Sequence, residues 1–600
     1  MRTGDNFRYL RYWWEIGSTE ISLNCSNKHS ALLSKKKWFP YMKGGGKSRW
    51  YGNQEYIVNW EDDGIDIKEN TRHNYPQLGD NLGWKITNEG YYFREGITWS
   101  CITAKGTSFR ISPPGYIFDV QGSTAFIDKG NIFALLAVLN SKIIDRILSL
   151  LNPTIAIQTG DIARIPICAP TTDQLEIFNK IVPICINIQQ NTAKFSETTF
   201  DFVAPLAWKS GGPRIEKSLL HLSNIETQVN EHVFEMYKIT SDDRAAIEID
   251  LSSGKQIEEV ENQIEKPDGD EPLDFAIAND HKVFSWLSYA AGIIFSRFQP
   301  GTRGALGSAI YHRKDFAVGS LPEPSEEEFD ELVGEPSQFA YIDEQGGRHV
   351  FSHQLEDGLR KLALPDGIAV FDLNHPRDLP TLVSKALELM LGQAQAQEVI
   401  QQAAGGDLRK YLEKDFFTQH HIKQYRKRPV YWPIQSSKRS YGFVLFHEKI
   451  DRNTFYALQQ EPYLPTKRRA VQLRLEELGK KVLTVQGAAR KPIEKEMDEL
   501  RQLAEELAQF AKDLDAITRG GYEPEADWID DGVILRMAPL WSVIPLWKSE
   551  PKKYWDELAA GKYDWSRIAM KYWPERVKQA CKKNKSYAIA HGHEEWYAGK

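Results

Sequence analysis

Over residues 1–200, short apolar and aromatic runs alternate with glycine and asparagine turns. Tyr56-Ile57-Val58-Asn59-Trp60 and Gly96-Ile97-Thr98-Trp99-Ser100 have the length and the β-branched, aromatic content of strands. The period then changes. Leu135, Leu136, Leu139, Ile143, Ile147 and Leu150 recur at steps of three and four, which predicts a helix over 132–151 that Asn152-Pro153 ends. Residues 162–167 read as a strand. Thr171 and Gln174 have the spacing of a capping box, so a helix begins there with Leu175, Phe178 and Ile181 on its apolar face. Pro183 interrupts that pattern.

Beyond residue 197 the pattern predicts a linker and then a helix over 214–237. Residues 241–280 are acidic and polar and read as an exposed loop. An apolar helix over 284–298 follows, and then an insertion over 301–347 rich in glycine, proline and acid. Helices are expected over 378–391 and 393–404, divided by Gly392, and another begins at 408. Residues 428–432 and 441–446 look like two strands of one small sheet joined by Gln435-Ser436-Ser437-Lys438. Residues 467–481 and 494–517 form a helical hairpin. In its second helix Met497, Leu500, Leu503, Leu507, Phe510, Leu514 and Ile517 make a heptad-like seam, either the buried face of an antiparallel pair or a dimer contact. The Trp-rich tail from Trp528 reads as folded.

Six hundred residues exceed one hydrophobic core. The expected class is α+β multidomain. A mixed α/β domain spans 1–200 and a helical connector with the acidic loop spans 201–330. A mixed α/β domain with a basic strand pair spans 331–465, and the hairpin with the Trp-rich region spans 466–600.

Hydrophobic content of 41% and charged content of 26% are those of an ordinary globular protein. The start is polar, with no secretory signal, and no apolar run approaches the roughly 18–20 residues of a membrane span. Five scattered cysteines without a C-x-x-C pair argue against zinc ribbons and disulfide scaffolds, and for a reducing cytoplasm. A net charge of −7 excludes a uniformly basic, histone-like surface but not local phosphate contacts. Charge is segregated along the chain. Between Glu20 and Glu55 there is no acid, but Lys28, Lys35, Lys36, Lys37, Lys43, Lys47 and Arg49 are present. A second acid-free run over 416–447 holds Lys423, Arg426, Lys427, Arg428, Lys438 and Arg439.

Three stretches are candidates for nucleic-acid contact. Residues 35–60 interleave bases with aromatics around Lys43-Gly44-Gly45-Gly46-Lys47 and Arg49-Trp50-Tyr51. Consecutive glycines let a backbone approach a phosphate, and the rings either pack beneath the loop or wedge against bases. The plain alternative is a surface hairpin. Gln158-Thr159-Gly160-Asp161, between the expected helix and strand, either reads base edges or closes the turn, and turn closure is favoured on chemistry alone. Arg426-Lys427-Arg428 either clamps phosphates or forms a solvated face. The candidate DNA-binding residues are Lys43, Lys47, Arg49, Gln158, Thr159, Arg426 and Arg428. His420 and His421 point to different faces, and His591 and His593 read as a solvated tail, so no metal-binding residue is assigned. No Ser-His-Asp, paired-carboxylate or P-loop arrangement assigns a catalytic residue.

Several blocks recur in a fixed order: Thr3-Gly4-Asp5-Asn6, Arg8-Tyr9-Leu10-Arg11-Tyr12-Trp13-Trp14-Glu15, Lys37-Trp38-Phe39-Pro40-Tyr41, Arg49-Trp50-Tyr51-Gly52-Asn53 and Gly96-Ile97-Thr98-Trp99-Ser100. They continue through Phe118-Asp119, Leu139-Asn140-Ser141-Lys142, Ile165-Pro166, Ser288-Tyr289-Ala290-Ala291-Gly292 and Lys427-Arg428-Pro429-Val430-Tyr431-Trp432. In this order the chain resembles PglX-type methyltransferases of BREX phage-defence systems and, more loosely, type IIG restriction–modification enzymes. The resemblance implies site-specific methylation of adenine N6 in double-stranded DNA, with residues 1–200 as the target-recognition domain. It also implies an upstream Rossmann-like domain that binds S-adenosylmethionine. The sequence begins inside the Thr-Gly-Asp-Asn block, so methyl transfer is expected from a missing or separate catalytic domain, and no cofactor site is expected in this chain. Consistent with that expectation, the only Pro-Pro pair is Ser112-Pro113-Pro114-Gly115. Amino-methylating loops of the form [NDS]-P-P-[YFW] need an aromatic ring on the flipped base, and Gly115 has none, so a turn is expected. Expected partners are DNA, a catalytic domain and other defence-system subunits, with no membrane. The rival reading is a non-catalytic scaffold of a defence complex.

Overall fold

The computed structural model describes residues 1–46, 48–101, 108–152, 156–202, 204–206, 208, 211–253, 279–298, 341–342, 348–349 and 353–598. The first region contains strands β1 (Leu10–Tyr12), β2 (Trp38–Met42), β3 (Tyr56–Asn59), β4 (Gly96–Trp99), β5 (Phe109–Ser112), β6 (Ile117–Phe118) and β7 (Thr124–Ala125). They form two sheets, in the orders β1-β3-β2-β6 and β5-β4-β7, antiparallel except for the β2–β6 pair. Every residue of β2 and of β4 is buried, which explains their continuous apolar runs in place of alternation. Tyr9, Phe39, Tyr41, Val58, Trp60, Ile67 and Phe93 fill the core of the first sheet. The second sheet packs on the helices Ile132–Leu139, Lys142–Leu151, Thr172–Ala193 and Gly211–Met236.

Several local expectations need correction. The helix expected over 132–151 is two helices. Asn140 uses its side-chain amide to accept from the N–H and donate to the C=O of Phe109, and Ser141 caps the second helix. Residues 162–167 are not a strand, because a single helical turn, Thr159–Ile162, leads into extended coil. The Thr171/Gln174 capping box is present, but the helix runs through Pro183, with Val182 and Cys185 buried on either side of the proline. Tertiary burial there outweighs the lost hydrogen bond. The start of the expected acidic loop is a helix, Ser241–Ser253, held on Lys142–Leu151 by the pairs Lys142–Glu248 and Arg146–Asp250. Residues 254–278 of that loop, and 301–340 and 343–347 of the expected insertion, lie outside the described residues, and 279–280 open a helix. A two-stranded pair, β8 (Tyr341–Ile342) with β9 (Arg348–His349), follows.

In the middle of the chain the helices Asn279–Ile294, His353–Leu362, Leu379–Leu391 and Gln393–Ala404 share a core with Trp13, Trp14 and Ile16 of the first region. A third sheet has the order β10 (Ile368–Val370), β12 (Gly442–Phe446), β11 (Tyr431–Gln435). Its β11–β12 hairpin is the expected strand pair, started later than expected because Arg426 and Lys427 turn at φ +48° and +59°. The helical hairpin is Leu464–Thr484 with Arg490–Arg519. Its heptad-like seam is internal. Leu507, Phe510 and Leu514 are buried, and Phe510 stacks on Phe443 of β12 at 6.0 Å. The tail is folded, with Trp528 and Trp565 in the same core. Three of the cores draw on residues either side of the sequence-based cuts: one crosses those at 200 and 330, one that at 465 and one that at 200.

Where the regions meet, two imidazoles are buried in the neutral form. The Nε2 of His421 accepts from the N–H groups of Val430 and Tyr431, both at 3.1 Å. Burial, then the charge of Arg297, holds its pKa well below the usual 6.5. His447 Nε2 bonds the Trp14 carbonyl at 3.2 Å, and burial followed by Arg536 pushes its pKa down to about 3. A histidine with a depressed folded pKa binds protons first in the unfolded chain. Its contribution is complete above pH 6.5 and is lost as pH falls toward the folded value, at about 1.4 kcal/mol per pH unit. His447→Gln should therefore melt with a shallower dependence on pH between 6.5 and 4 than the wild type. Equal slopes would show that His447 does not titrate between the states.

Candidate nucleic-acid interface

The glycine loop leaves β2 at Lys43. Gly44 and Gly45 have φ of +97° and +114°, a region closed to most side chains. A Cβ on Gly44 would stand 2.7 Å from the carbonyl oxygen of Gln121, so the loop lies flat on the turn that precedes β7. It is held from below. Asn53 donates to the Gly46 carbonyl at 2.7 Å, and the buried Arg110 guanidinium reaches the Gly44 carbonyl at 3.4 Å and the Ser100 hydroxyl at 3.2 Å. Burial lowers the Arg110 pKa to about 10. Trp38, Phe39, Tyr41, Trp50 and Tyr51 are all buried, Trp38 in one core, Phe39 and Tyr41 in a second and Trp50 in a third. Of the two roles open to these rings, packing in the interior is the one observed.

The turn at Gln158 joins the same edge. The Cys101 N–H donates to the Gln121 carbonyl at 3.0 Å, and the Ile157 N–H donates to the Cys101 carbonyl at 2.7 Å. Two backbone hydrogen bonds, Cys101 to Gln121 and Ile157 to Cys101, therefore link the turn beneath Gly44 to the residue before Gln158. The turn itself is closed by Asp161, whose carboxylate accepts from the Gln158 N–H at 2.9 Å, Asn152 at 2.7 Å and Arg164 at 2.8 Å. Those bonds, the Gln158 N–H foremost, hold its pKa below the ordinary aspartate value. With closure done by Asp161, the side chains of Gln158 and Thr159 are exposed. Lys43 is half-buried, its ammonium 4.5 Å from the centre of the Tyr56 ring.

The other sequence-predicted cations are placed differently. Arg49 pairs with Asp145 at 2.7 Å, tying the loop to the Lys142–Leu151 helix. Lys47 lies outside the described residues. Arg426 and Arg428 lie where the first region meets the β11 end of the third sheet, Arg426 beside Tyr12, whose hydroxyl accepts from that of the Tyr56 under Lys43. Arg426 pairs with Glu55 at 2.8 Å and lies over the Tyr12 ring at 5.6 Å. Arg428 lies 3.9 Å from Glu15 and over Phe7. Burial is the largest influence and opposes both charges, but Glu55 with Tyr12 and Tyr56, and Glu15 with Tyr554 and Tyr12, together outweigh it and raise both pKa values. The two guanidiniums join regions of the fold and do not form an open phosphate clamp.

The first acid-free run is likewise neutralised in space. Lys28 reaches Asp63 and Glu89, and Lys37 reaches Asp530 at 2.7 Å. Lys35 and Lys36 line a cavity of about 350 Å³ that they share with Glu61, Asp62 and Asp63. Among the described residues no group of three or more His, Cys, Asp or Glu is placed to hold a metal ion. His591 is buried against the Asp564 carbonyl, and His593 stacks on Trp596. No described helix is long and apolar enough to cross a membrane.

The glycine loop does not have the form of the turn that holds a nucleoside cofactor. It runs into Arg49 and Trp50 instead of a helix, and the carbonyls of Gly44 and Gly46 accept from Arg110 and Asn53. Ser112-Pro113-Pro114-Gly115 forms a turn, with Gly115 at φ +99° and its N–H on the Phe93 carbonyl.

No protein-family model matches the chain. It is similar to the adenine-specific methyltransferase PglX of Lacticaseibacillus casei (strain Zhang), 26% identical over 572 residues that cover 90% of this chain and 41% of that protein. It is also similar to the adenine-specific methyltransferase BrxX of Escherichia coli O9:H4 (strain HS), 26% identical over 524 residues that cover 84% of this chain and 39% of that protein. The chain thus spans about two-fifths of the length of the curated relatives it matches. This similarity relates it to adenine-specific methyltransferases.

Proposed function

We propose that this chain is the DNA-reading and accessory portion of a site-specific adenine-N6 methyltransferase of a BREX-type phage-defence system. The observation that carries the reading is similarity to two adenine-specific methyltransferases across 84–90% of the chain. Methyl transfer from S-adenosylmethionine is assigned to the part of such a protein that this chain does not match. The convergence of the glycine loop and the Gln158 turn on one edge of the first region supports a DNA-facing surface there. In this reading Lys43 meets a phosphate, the Gly44–Gly45 backbone admits the duplex closely, and Gln158 and Thr159 address base edges in a groove. Arg49 flanks that surface, and Lys47, near it in the sequence, is a further proposed phosphate contact. Arg426 and Arg428 act indirectly, by holding the first region on the rest of the molecule.

The test is selection of bound sequences from a random duplex pool, run beside a methyl-transfer assay. One enriched motif without methyl transfer is expected. No enrichment, with tight association to another defence protein, would replace the reading with a scaffold role. The two kinds of contact separate by variant. Lys43→Ala should weaken binding to all sequences alike and reduce the salt dependence by about one unit of log–log slope. Gln158→Ala with Thr159→Ala should relax the motif at one or two positions, by about 1–3 kcal/mol of discrimination. An unaltered motif in the double variant would remove these two residues from base reading.

A further inference from the structure

We infer that the tip of the helical hairpin, residues 479–492, is a second and sequence-independent contact to the phosphate backbone of duplex DNA. The inference rests on the DNA-reading function proposed above. Between Glu477 and Glu494 the chain carries no acid, while Lys480, Lys481, Arg490 and Lys491 are present. This is a further acid-free run, and its surroundings in space differ from those of the two runs described above. The only ion pair found at this tip among the described residues is Arg490 with Glu494, at 2.7 Å. Lys480, Lys481 and Lys491 are exposed. Further down the hairpin the charges are matched within it: Arg474 with Glu477 and Glu496, Lys495 with Glu499, and Arg501 with Asp498. The tip thus carries three exposed lysines with no acid partner among the described residues, in a chain whose net charge is −7.

The hairpin also reaches outward. No residue of 479–492 is buried, and Leu483 is 84% exposed. In the second helix Ile493 is the only buried residue up to 505, whereas Leu507, Phe510 and Leu514 anchor the base against the third sheet and the tail. Sixteen residues at about 1.5 Å rise span about 24 Å of helix ahead of that anchor. Gly487, at φ +69°, takes part in the turn at the far end. An exposed tip with three unmatched lysines and few fixed hydrogen-bonding groups suits phosphates, which recur about every 1.7 Å along a duplex, and does not suit base reading.

The experiment compares the full chain with Lys480→Gln/Lys481→Gln/Lys491→Gln and with a charge-matched control, Arg468→Gln/Lys512→Gln/Arg519→Gln, all at exposed positions. Affinity for the selected motif and for a scrambled duplex is measured from 50 to 200 mM salt, a range of about fourfold in which phosphate contacts dominate the response. The tip variant should bind both duplexes more weakly by the same factor. Its log–log salt slope should be shallower by about two to three units, at roughly 0.9 per lost contact. Its selected motif should not change, and the control should keep the wild-type slope. A wild-type slope in the tip variant, with motif binding intact, overturns the arm contact and leaves the reading function standing. A slope that falls equally in the control also overturns it, since the effect would then be net charge. If the wild-type chain binds no duplex, the reading function fails and the arm contact fails with it.

Discussion

Replacing Glu197 with alanine is expected to destabilise the middle of the molecule by about 3–5 kcal/mol, the usual effect of stripping one partner from a buried ion pair. Glu197 and Arg297 are both buried, 3.6 Å apart. The carboxylate also accepts from the Ser288 hydroxyl at 2.7 Å and from the Tyr425 hydroxyl, and Arg297 donates to Tyr425. Burial pushes the Glu197 pKa up, against the pull of Arg297. Without the carboxylate, Arg297 keeps its charge in a site that excludes water, with Nε and Nη2 already lacking partners. The melting transition should fall by roughly 6–20 °C for a cooperative unit of about 150–250 residues. Glu197→Leu combined with Arg297→Leu should recover at least half of the loss, because no buried charge is left unmatched. A double variant as unstable as the sum of the single ones would show that the pair matters for its shape and not for its charge.

The second large effect is expected at Trp14. Its ring stacks on Tyr12 at 4.5 Å with an interplanar angle of 4° and meets Tyr425 edge-on at 5.4 Å. Its indole N–H donates to the Arg428 carbonyl at 3.1 Å. Trp14 is 1% exposed and belongs to the core built by helices beyond residue 279. Trp14→Ala should lose about 3–5 kcal/mol through the cavity and the orphaned carbonyl. Trp14→Phe, which keeps the stack and loses the N–H, should lose less than half as much. Limited proteolysis should then cut the alanine variant between the first region and the middle helices before either is degraded. Resistance equal to the wild type, with an unchanged melt, would show that the Trp14 contacts do not hold the two regions together.

The candidate interface was only partly legible in the chain. Gln158-Thr159-Gly160-Asp161 stood out as a turn with two polar readers, but its neighbour in space, the glycine loop, lies more than 100 residues earlier. Hydrogen bonds through Gln121 and Cys101 bring the two together. The basic runs misled for one physical reason. Neutralisation acts through space, and acids at Glu15, Glu55, Asp145 and Asp530 reach Arg428, Arg426, Arg49 and Lys37 from distant parts of the chain. The hairpin tip was visible as an acid-free run over 478–493, and a scan for such runs along the whole sequence would have found it.

By itself the sequence determined the features that depend on neighbours along the chain. The Thr171/Gln174 box starts its helix, Gly392 divides two helices, the strands either side of 435–442 pair, and the leucine-rich seam after Met497 predicts an antiparallel hairpin. Caps, turns and periodicity act over a few residues, so composition and spacing are enough. Tertiary structure alone decided the break at Asn140, the continuous helix through Pro183, the insertion of Trp13 and Trp14 into a core formed hundreds of residues later, and which cations stay unmatched. Each of these depends on burial or on charge pairing between residues far apart in the chain. In both cases the energy is set by whatever group occupies the adjoining space, which local pattern does not specify.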